Sequence, residues 1–421
     1  IRAAAVLHLH GFVNAVGRTC EVVGINDLVA VHGVGRTLHA QAPDRGAFLR
    51  EEHLIHGAYY LLEIVALGGG SREHDALAGF GELYLCKVKA SGVIPQISAI
   101  LGSCGGGVAI SSLLSDFTLM DSQNGKLFVN SPNAVDGNHT DKCDTAAAAF
   151  QAEAGNVDFL CDSEADVLAQ IRSLVQILPA NFDDYAGKET QDDMNRVLNG
   201  FEGLISDPVA ALTQIADDQK FLETKKEYAE DMITGLMTLN GVTVGAVANG
   251  AEQVLSTAGC KKAEKFVYFC DAFGIPVITF TNVKAYASSM EEEKTIGQAV
   301  ADLTCAFASA EVPKVNVITG EAFGSAYVAM NSKHIGADLV LALEGAKVGV
   351  MDAKSAVQVM YQDEISNAKD TKASLEEKTK EYDELQCNVN IAAKRGYVDN
   401  IIEGSEIRKQ LIYAMQMFGM R

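Results

Sequence analysis

The sequence predicts an α/β protein built from two copies of one domain, and two observations carry this prediction. Residues 95–109 recur in altered form as residues 313–327, with every matched pair separated by the same 218 positions. Each copy has the pattern of a proline-led apolar strand, a turn of glycine and small residues, and a short helix. A period of half the chain indicates a duplicated domain rather than a solenoid, whose repeat is about 20–50 residues. The matched pairs are Pro95 and Pro313, Ile97 and Val315, Gly102 and Gly320, and Gly106 and Gly324.

Bulk composition limits the classes of function. The chain has 421 residues, which is enough for about two to three domains with full cores. Its 48% hydrophobic and 21% charged content is typical of a folded protein, and no uncharged apolar run reaches the roughly 18 residues of a transmembrane helix. The net charge of −21 opposes nonspecific binding to nucleic acid or anionic membranes. An anionic cofactor is still compatible, since a few cations or helix N-termini suffice for phosphates.

The cysteines and the start of the chain favour a cytoplasmic protein. None of the nine cysteines forms a C-x-x-C pair, and several lie in apolar runs, so we expect reduced and mostly buried thiols. The apolar run near Ile1 is too short for a secretion signal. His53 and His56, beside Glu51 and Glu52, have the spacing of metal ligands on a helix. Without a third ligand, a polar helix face is the preferred interpretation, and we predict no metal site.

The first half of the chain follows from local patterns. Residues 1–75 are irregular, with strands expected near 20–32 and a helix over 51–67. A helix of small residues, Ala76 to Leu85, leads into the first motif, and Ser163 has the character of an N-cap for a helix that stops at Pro179. The predicted elements after the motif are helix Ile110–Leu114, strand Asp116–Met120, strand Lys126–Asn130 and helix Ser163–Leu178.

The second half again alternates helix and strand, as an α/β domain does. Residues 180–206 are polar and rich in Asn, Asp and Gly, so we place the linker there and predict domains over residues 1–200 and 201–421. The predicted elements are helix Asp207–Asp218, strand Val242–Val247, helix 261–273, strand Pro276–Phe280, helix 290–307, helix 328–332, strand Asp338–Ala342, a charged helix Ser374–Gln386 and a final helix from Ser405.

The two glycine turns are the candidate chemical feature. A strand that ends in small residues and opens a helix leaves backbone N–H groups directed outward at the positive end of the helix dipole, where they can hold an oxyanion. Gly105 to Gly107 alone could be a packing turn, but the retention of Gly106 and Gly324 at one junction indicates a shared requirement. Two such sites suit chemistry with two carbonyl groups.

Motifs for other chemistries are missing or weak in the sequence. It contains neither a P-loop nor a G-x-S-x-G elbow. Ser103, Cys104 and Ser325 could act as nucleophiles, but His334 is the sole histidine near either turn. A serine or cysteine hydrolase is therefore disfavoured.

The motifs together resemble one family, the β-type carboxyltransferase subunits of biotin-dependent acyl-CoA carboxylases and the related decarboxylase subunits. The resemblance covers residues 75–421. It is carried by Asp75-Ala-Leu-Ala-Gly-Phe-Gly-Glu, Ser91-Gly-Val-Ile-Pro, Gly102-Ser-Cys-Gly-Gly-Gly, Phe269-Cys-Asp-Ala-Phe-Gly-Ile-Pro, Val312-Pro-Lys-Val, Ala322-Phe-Gly-Ser-Ala-Tyr, Asn331-Ser-Lys-His-Ile-Gly-Ala-Asp, Val350-Met-Asp-Ala and Arg395-Gly-Tyr-Val-Asp.

The resemblance implies two tandem crotonase-like domains of the ClpP/crotonase spiral type, the first binding an acyl-CoA and the second binding biotin. It implies carboxyl transfer between carboxybiotin and the α-carbon of the acyl-CoA. In the family, carboxybiotin is split to CO2 and a biotin enolate, and the biotin ureido nitrogen takes the substrate α-proton. The protein then supplies no side-chain base, which agrees with the lack of a convincing catalytic dyad.

Carried over position by position, the resemblance places Gly106 and Gly107 where backbone amides hold the thioester enolate. Ser325 and Ala326 fall where amides hold the biotin carbonyl oxygen, with Ser325 replacing a commoner glycine. Gly105 and Gly324 complete the two turns as substrate-binding positions.

Val328 occupies a position that helps to set acyl-chain preference. Enzymes for acetyl- and propionyl-CoA often have aspartate there, so valine disfavours those substrates and leaves methylmalonyl- or glutaconyl-CoA open.

The resemblance also implies partners and leaves alternatives. The expected cofactor is biotin on a carrier protein, with a biotin carboxylase as second partner and a coenzyme A thioester as substrate. Active sites are expected across a homodimer, with larger rings such as hexamers. Residues 1–75 look shortened against the family. A crotonase-like hydratase or isomerase would need a carboxylate such as Asp75 or Glu82 above the enolate, and a third alternative is a non-catalytic assembly subunit.

Overall fold

A computed structural model describes residues 20–24, 73–136, 144–185, 187–368 and 370–419. Two compact units make up the chain, the first comprising residues 1–186 with 225–228 and the second residues 187–224 with 229–421. The predicted helix over 51–67, with His53 and His56, lies outside the described residues. Within the described residues, no helix is long and apolar enough to cross a membrane.

The first unit is a small, mostly parallel sheet with helices. Its four-stranded sheet has the order β1-β2-β4-β6, in which only β1 runs antiparallel, and β3 pairs with β5 in a separate parallel ladder. The elements are β1 Cys20–Gly24, α1 Glu73–Ala90, β2 Gln96–Ile100, β3 Ser103–Gly105, α2 Gly107–Leu113, β4 Phe117–Asp121, β5 Lys126–Phe128, α3 Ala148–Glu153, β6 Phe159–Cys161 and α4 Glu164–Ile177. Ser163 caps α4 by accepting the Asp166 N–H, as predicted.

The second unit is organised around an eight-stranded sheet of order β16-β14-β13-β11-β9-β8-β7, with β15 paired to β13. Strand β8 runs antiparallel to both of its neighbours, β7 and β9, and the remaining pairs of this sheet are parallel. The strands are β7 Phe221–Thr224, β8 Met232–Leu239, β9 Val242–Asn249, β10 Val254–Leu255, β11 Val277–Val283, β12 Ala285–Tyr286, β13 Lys314–Phe323, β14 Leu339–Leu343, β15 Lys347–Gly349 and β16 Asn400–Ile402. The helices are α5 Pro208–Ile215, α6 Thr257–Ala272, α7 Met290–Glu293, α8 Ile296–Ser309, α9 Gly324–Ala329, α10 Ala353–Met360, α11 Gln362–Ser366, α12 Thr371–Tyr382, α13 Val389–Lys394 and α14 Ile407–Met417.

The internal repeat is visible in how the matched strands begin. Strands β2 and β13 start at Gln96 and Lys314, which the 218-residue offset equates. The Gln96 N–H donates to the Asp116 carboxylate at 2.7 Å, and the Lys314 N–H donates to the Asp338 carboxylate at 2.8 Å. The backbone N–H of Asp116 in turn donates to the Gln96 carbonyl at 3.0 Å, and that of Asp338 donates to the Lys314 carbonyl at 2.9 Å. The two copies therefore share strand register as well as sequence pattern.

The boundary between the two units, at residues 186 and 187, falls within the range 180–206 where we place the linker, although Leu198 and Phe201 in that range are buried with the apolar residues of the second sheet. Two sequence expectations need correction. The predicted helix over 290–307 is two helices, α7 and α8, which meet at Thr295. The helix predicted over 261–273 begins earlier, because the Ser256 hydroxyl accepts the Gly259 N–H and caps it.

Candidate active site

The first glycine turn links β3 to α2 through a backbone conformation that favours glycine. Gly106 has φ +60° and ψ −126°, in a region that residues with a Cβ rarely adopt. Its N–H donates to the Phe128 carbonyl on β5 at 2.9 Å, so this amide already has an acceptor. Gly107 and Val108 then open α2, and the first amides of a helix have no acceptor within it. The amides of Gly107 and Val108 are therefore left without an acceptor inside α2.

Aromatic side chains close in on this turn. A Cβ on Gly105 would collide with the ring of Phe128, and one on Gly107 would lie 2.9 Å from the ring of Phe80. The hydroxyl of Tyr84 donates to the Gly107 carbonyl at 2.7 Å, and burial raises the pKa of this tyrosine. Helix α1 therefore packs on the turn through Phe80 and Tyr84. The two flanking glycines are required for close packing, and Gly106 is required for backbone geometry.

The second turn repeats the first. Gly324 has φ +63° and opens α9, whose next residues are Ser325 and Ala326. A Cβ on Gly324 would lie 3.2 Å from the Val350 carbonyl oxygen. The 218-residue offset equates Gly324 with Gly106, and it equates Ser325 and Ala326 with Gly107 and Val108. Both turns therefore combine one glycine of positive φ with the first amides of a short helix.

The surroundings of the two turns differ in their side chains. Ser325 is exposed, and its hydroxyl accepts a hydrogen bond from Tyr286 at 2.9 Å. Ala326 is buried, and Val328 one turn further on is half-buried. Neither α2 nor α9 has an acidic residue in its first turn, so no carboxylate competes there for the first amides.

Few of the other residues that the sequence suggested as nucleophiles or acid–base groups lie beside a glycine turn in the way that a catalytic group should. Cys104 is buried and contacts the Ser112 hydroxyl, and Glu82 is exposed on α1. His334 stacks against Tyr397 with ring centroids 4.6 Å apart. The side chain of Asp75 is outside the described part of the chain. In the described residues, no three His, Cys, Asp or Glu side chains form a metal-binding group.

Two sets of contacts near the turns could not be predicted from sequence patterns. Phe80 and Tyr84 lie in a predicted helix, but their packing on Gly107 depends on how α1 crosses α2. Each turn also has a neighbouring lysine, Lys126 beside the first and Lys347 beside the second, that pairs with an aspartate at 2.8 Å. The offset between the two lysines is 221 rather than 218, so an ungapped comparison of the repeats does not align them.

Comparison with known proteins gives one consistent result. The family model for the carboxyl transferase domain matches residues 14–419. The chain is 35% identical over 359 residues to the carboxyltransferase subunit of propionyl-CoA carboxylase from Haloferax mediterranei, covering 82% of this chain and 70% of that one. It is 34% identical over 371 residues to the methylmalonyl-CoA decarboxylase subunit alpha of Propionigenium modestum, covering 83% and 71%.

Solved structures agree with these relatives. The structure of transcarboxylase 12S, described as a hexamer assembly with methylmalonyl-coenzyme A bound, superposes with a TM-score of 0.79 at 28% identity. That match covers 87% of this chain and 75% of the other. A single-chain long-chain acyl-CoA carboxylase superposes with a TM-score of 0.66 at 18% identity, a likeness of fold alone.

Proposed function

The chain belongs to the carboxyl transferase family, as a β-type carboxyltransferase subunit of the biotin-dependent acyl-CoA carboxylases and decarboxylases, and we propose how its two glycine turns divide the reaction. The resemblance stated from sequence motifs is thereby confirmed, as is the tandem crotonase-like fold. In our proposal the first turn holds the thioester of an acyl-CoA and the second holds the ureido carbonyl of biotin. A carboxyl group moves between carboxybiotin and the α-carbon of the acyl-CoA.

The observation that carries this proposal is the equivalence of the turns. Removing a proton or a carboxyl group from the α-carbon places negative charge on the thioester oxygen, and preorganised N–H donors stabilise such charge. We assign this task to the Gly106–Gly107 turn, but because the Gly106 N–H already donates to the Phe128 carbonyl, we propose that the amides of Gly107 and Val108 donate instead of the pair Gly106 and Gly107 expected from the sequence, with Gly106 supplying the conformation. Ser325 and Ala326 do the same for the carbonyl oxygen of biotin. Gly105 completes the first turn by making room for the ring of Phe128, and we propose that Gly324 lets the ligand approach the backbone of the second turn closely.

The second turn fits biotin in one respect that the structure supports. Gly324 is partly exposed and Ser325 is exposed, so a ligand can reach this turn in the described part of the chain. When bound, carboxybiotin supplies the carboxyl group and a nitrogen that can take the α-proton. The residues of the chain then bind, orient and stabilise charge, without a side-chain base.

The partners follow from the same proposal. We propose a biotin carboxyl carrier protein and a biotin carboxylase as partners, and homo-oligomers in which a dimer completes each active site. Transcarboxylase 12S, a structural neighbour, assembles as a hexamer. We also propose a cytoplasmic location and no metal cofactor.

The acyl group is the least constrained part of the proposal. By the family resemblance, Val328 stands where aspartate is common in enzymes that carboxylate acetyl- and propionyl-CoA, so we propose that the chain works from a carboxylated thioester, with glutaconyl-CoA and methylmalonyl-CoA, which yields propionyl-CoA, as candidates. The relatives include both propionyl-CoA carboxylases and a methylmalonyl-CoA decarboxylase. A Val328→Asp variant should shift the preference toward the shorter, uncharged substrates.

The test is carboxyl transfer by the full chain. Purified protein is given free biocytin and, in turn, malonyl-, methylmalonyl- and glutaconyl-CoA, and biocytin-dependent loss of the carboxyl group is followed by release of CO2. We expect transfer with at least one thioester. Lack of biocytin-dependent transfer with all three, by protein whose circular dichroism shows it to be folded, would refute the proposal.

A further inference from the structure

Beside each glycine turn, a lysine and an aspartate form an ion pair of the same geometry. In the first unit the Nζ of Lys126 lies 2.8 Å from Oδ2 of Asp144. In the second unit the Nζ of Lys347 lies 2.8 Å from Oδ2 of Asp383. We call these pairs the first and second clasps.

The two lysines are equivalent in the fold. Lys126 begins β5 and lies opposite Ser103 in the parallel ladder, and Lys347 begins β15 and lies opposite Glu321. Ser103 and Glu321 are themselves equated by the 218-residue repeat. Each lysine therefore occupies the same rung, two residues before the strand reaches its glycine turn.

The strands that carry the lysines contact the turns directly. Phe128, at the end of β5, accepts the N–H of Gly106 and packs its ring on Gly105. Gly349, at the end of β15, pairs with Phe323 just before Gly324, and the Val350 carbonyl oxygen lies 3.2 Å from where a Cβ on Gly324 would stand. A shift of either strand along its ladder would move the glycine of the adjacent turn.

The clasps connect those strands to other segments of the chain. Lys126 and Ala147 form an isolated antiparallel β-bridge, and the Asp144 carboxylate also accepts the Ala146 N–H at 3.1 Å. Lys347 bridges in the same way to Asn388, which caps α13. Each clasp thus connects β5 or β15 to the segment just before a helix, which is α3 in the first unit and α13 in the second.

Stability alone does not explain why both pairs are present. The four side chains are 31–41% exposed, and pairs this exposed contribute about 0–1 kcal/mol to folding. The lysine hydrogen bond lowers the pKa of Asp144, and the hydrogen bond to Asp383 raises the pKa of Lys347. The two halves differ at most positions around these turns, yet both contain this contact.

We propose that Lys126 with Asp144, and Lys347 with Asp383, are positioning residues that set the two glycine turns independently. This inference rests on the proposed function, in which the first turn serves the acyl-CoA and the second serves biotin. The first clasp then controls the acyl-CoA half of the site, and the second clasp controls the biotin half.

The experiment compares Lys126→Met and Lys347→Met in the full chain, using the biocytin-dependent assay. Displacement of a reacting group by about 1 Å can cost on the order of 100-fold, so we expect each variant to lose roughly tenfold or more in kcat/KM. Lys126→Met should raise KM for the acyl-CoA and leave KM for biocytin unchanged. Lys347→Met should do the reverse.

Two further variants separate positioning from a general loss of structure. Lys347→Arg keeps a charged donor toward Asp383 and should restore most of the lost kcat/KM. Lys372→Met removes the lysine of a more exposed pair on α12, where Lys372 and Glu376 are 3.9 Å apart, and should leave both KM values unchanged.

The outcomes are distinguishable. Equal changes in both KM values, or wild-type KM values in both lysine variants, would overturn the role of the clasps while the wild type remains active. Inactivity of the folded wild type would overturn the proposed function itself.

Discussion

Substituting Gly106 by alanine perturbs the first turn with little steric complication. A Cβ built on Gly106 has no heavy atom within 4 Å, so the change adds no clash. The penalty comes from the backbone, because φ +60° with ψ −126° is a conformation that alanine disfavours. The variant therefore tests whether the conformation of Gly106 itself matters.

The magnitude follows from two contributions. Holding alanine in so sparsely populated a conformation costs about 1–3 kcal/mol. If the backbone relaxes instead, the 2.9 Å hydrogen bond from Gly106 to the Phe128 carbonyl weakens, at about 1 kcal/mol. Relaxation also rotates the Gly107 amide, and we expect carboxyl transfer to fall by roughly 10- to 100-fold for a misplacement of this kind.

A matched control is available at Gly200. It has φ +73°, also has no heavy atom within 4 Å of a built Cβ, and precedes a short 3₁₀ helix in the second unit. Gly200→Ala should cost about 1–2 kcal/mol of stability by the same backbone effect. It should leave kcat/KM for carboxyl transfer unchanged.

The assay pairs urea unfolding with initial rates of biocytin-dependent transfer. Wild-type kcat/KM in folded Gly106→Ala would refute the assignment of the turn. An equal loss of activity in Gly200→Ala would show that backbone strain acts through global stability, and it would refute the local argument in the same way.

Three further predictions concern stability and reactivity. Arg408 is fully buried with its guanidinium 2.7 Å from Asp217, so Arg408→Met should leave a buried carboxylate and cost about 3–5 kcal/mol in urea unfolding, and a loss below about 1 kcal/mol would contradict this. Burial alone would raise the pKa of Asp192, but hydrogen bonds, chiefly from a neighbouring arginine, hold it below its usual value. The stability that Asp192 contributes is therefore present above about pH 4 and lost as pH falls through its folded pKa, so Asp192→Asn should show a shallower acid decline, and an unchanged pH profile would count against it. Burial raises the pKa of Cys260 to about 12, whereas Cys305 is exposed, so iodoacetamide at pH 7.5 should label Cys305 before Cys260 in peptide mass spectra, and equal labelling rates for the two would contradict the burial.

Local chemistry made much of this fold predictable. A leading proline, an apolar run and glycine identified β2 and β13, because a buried parallel strand followed by a tight turn needs those residue types. The start of α4 was predictable because a serine at the N-cap satisfies a backbone N–H that would otherwise lack a partner. The positive φ of Gly106 and Gly324 agrees with the reason given for glycine at those positions.

The burial of two residues within the linker and the helix break at Thr295 were missed for equally physical reasons. Residues 180–206 are polar on average, and the average hid Leu198 and Phe201, each of which is buried in the second core. Composition measures a window, whereas burial is decided residue by residue once a sheet is available to pack against. The break at Thr295 was missed because the acidic residues after Met290 suit the first turn of a helix, and they were interpreted as the first turn of the apolar helix that follows.

The clasps mark a different limit, set by the spacing of the repeats. Between the turn and the lysine the two copies differ by three residues, and between the lysine and the aspartate by a further eighteen, since the offset grows from 218 to 221 to 239. An ungapped comparison of the two copies aligns the glycine turns but does not align the lysines and aspartates that follow them. A comparison of the strand ladders does not depend on loop length, because Lys126 and Lys347 pair with equivalent residues of β3 and β13. Equivalence defined by hydrogen-bonded register therefore identifies which side chains the duplicated domain has kept. If that reasoning is right, the two lysine variants should differ in which substrate they affect, although the contacts they remove have the same geometry.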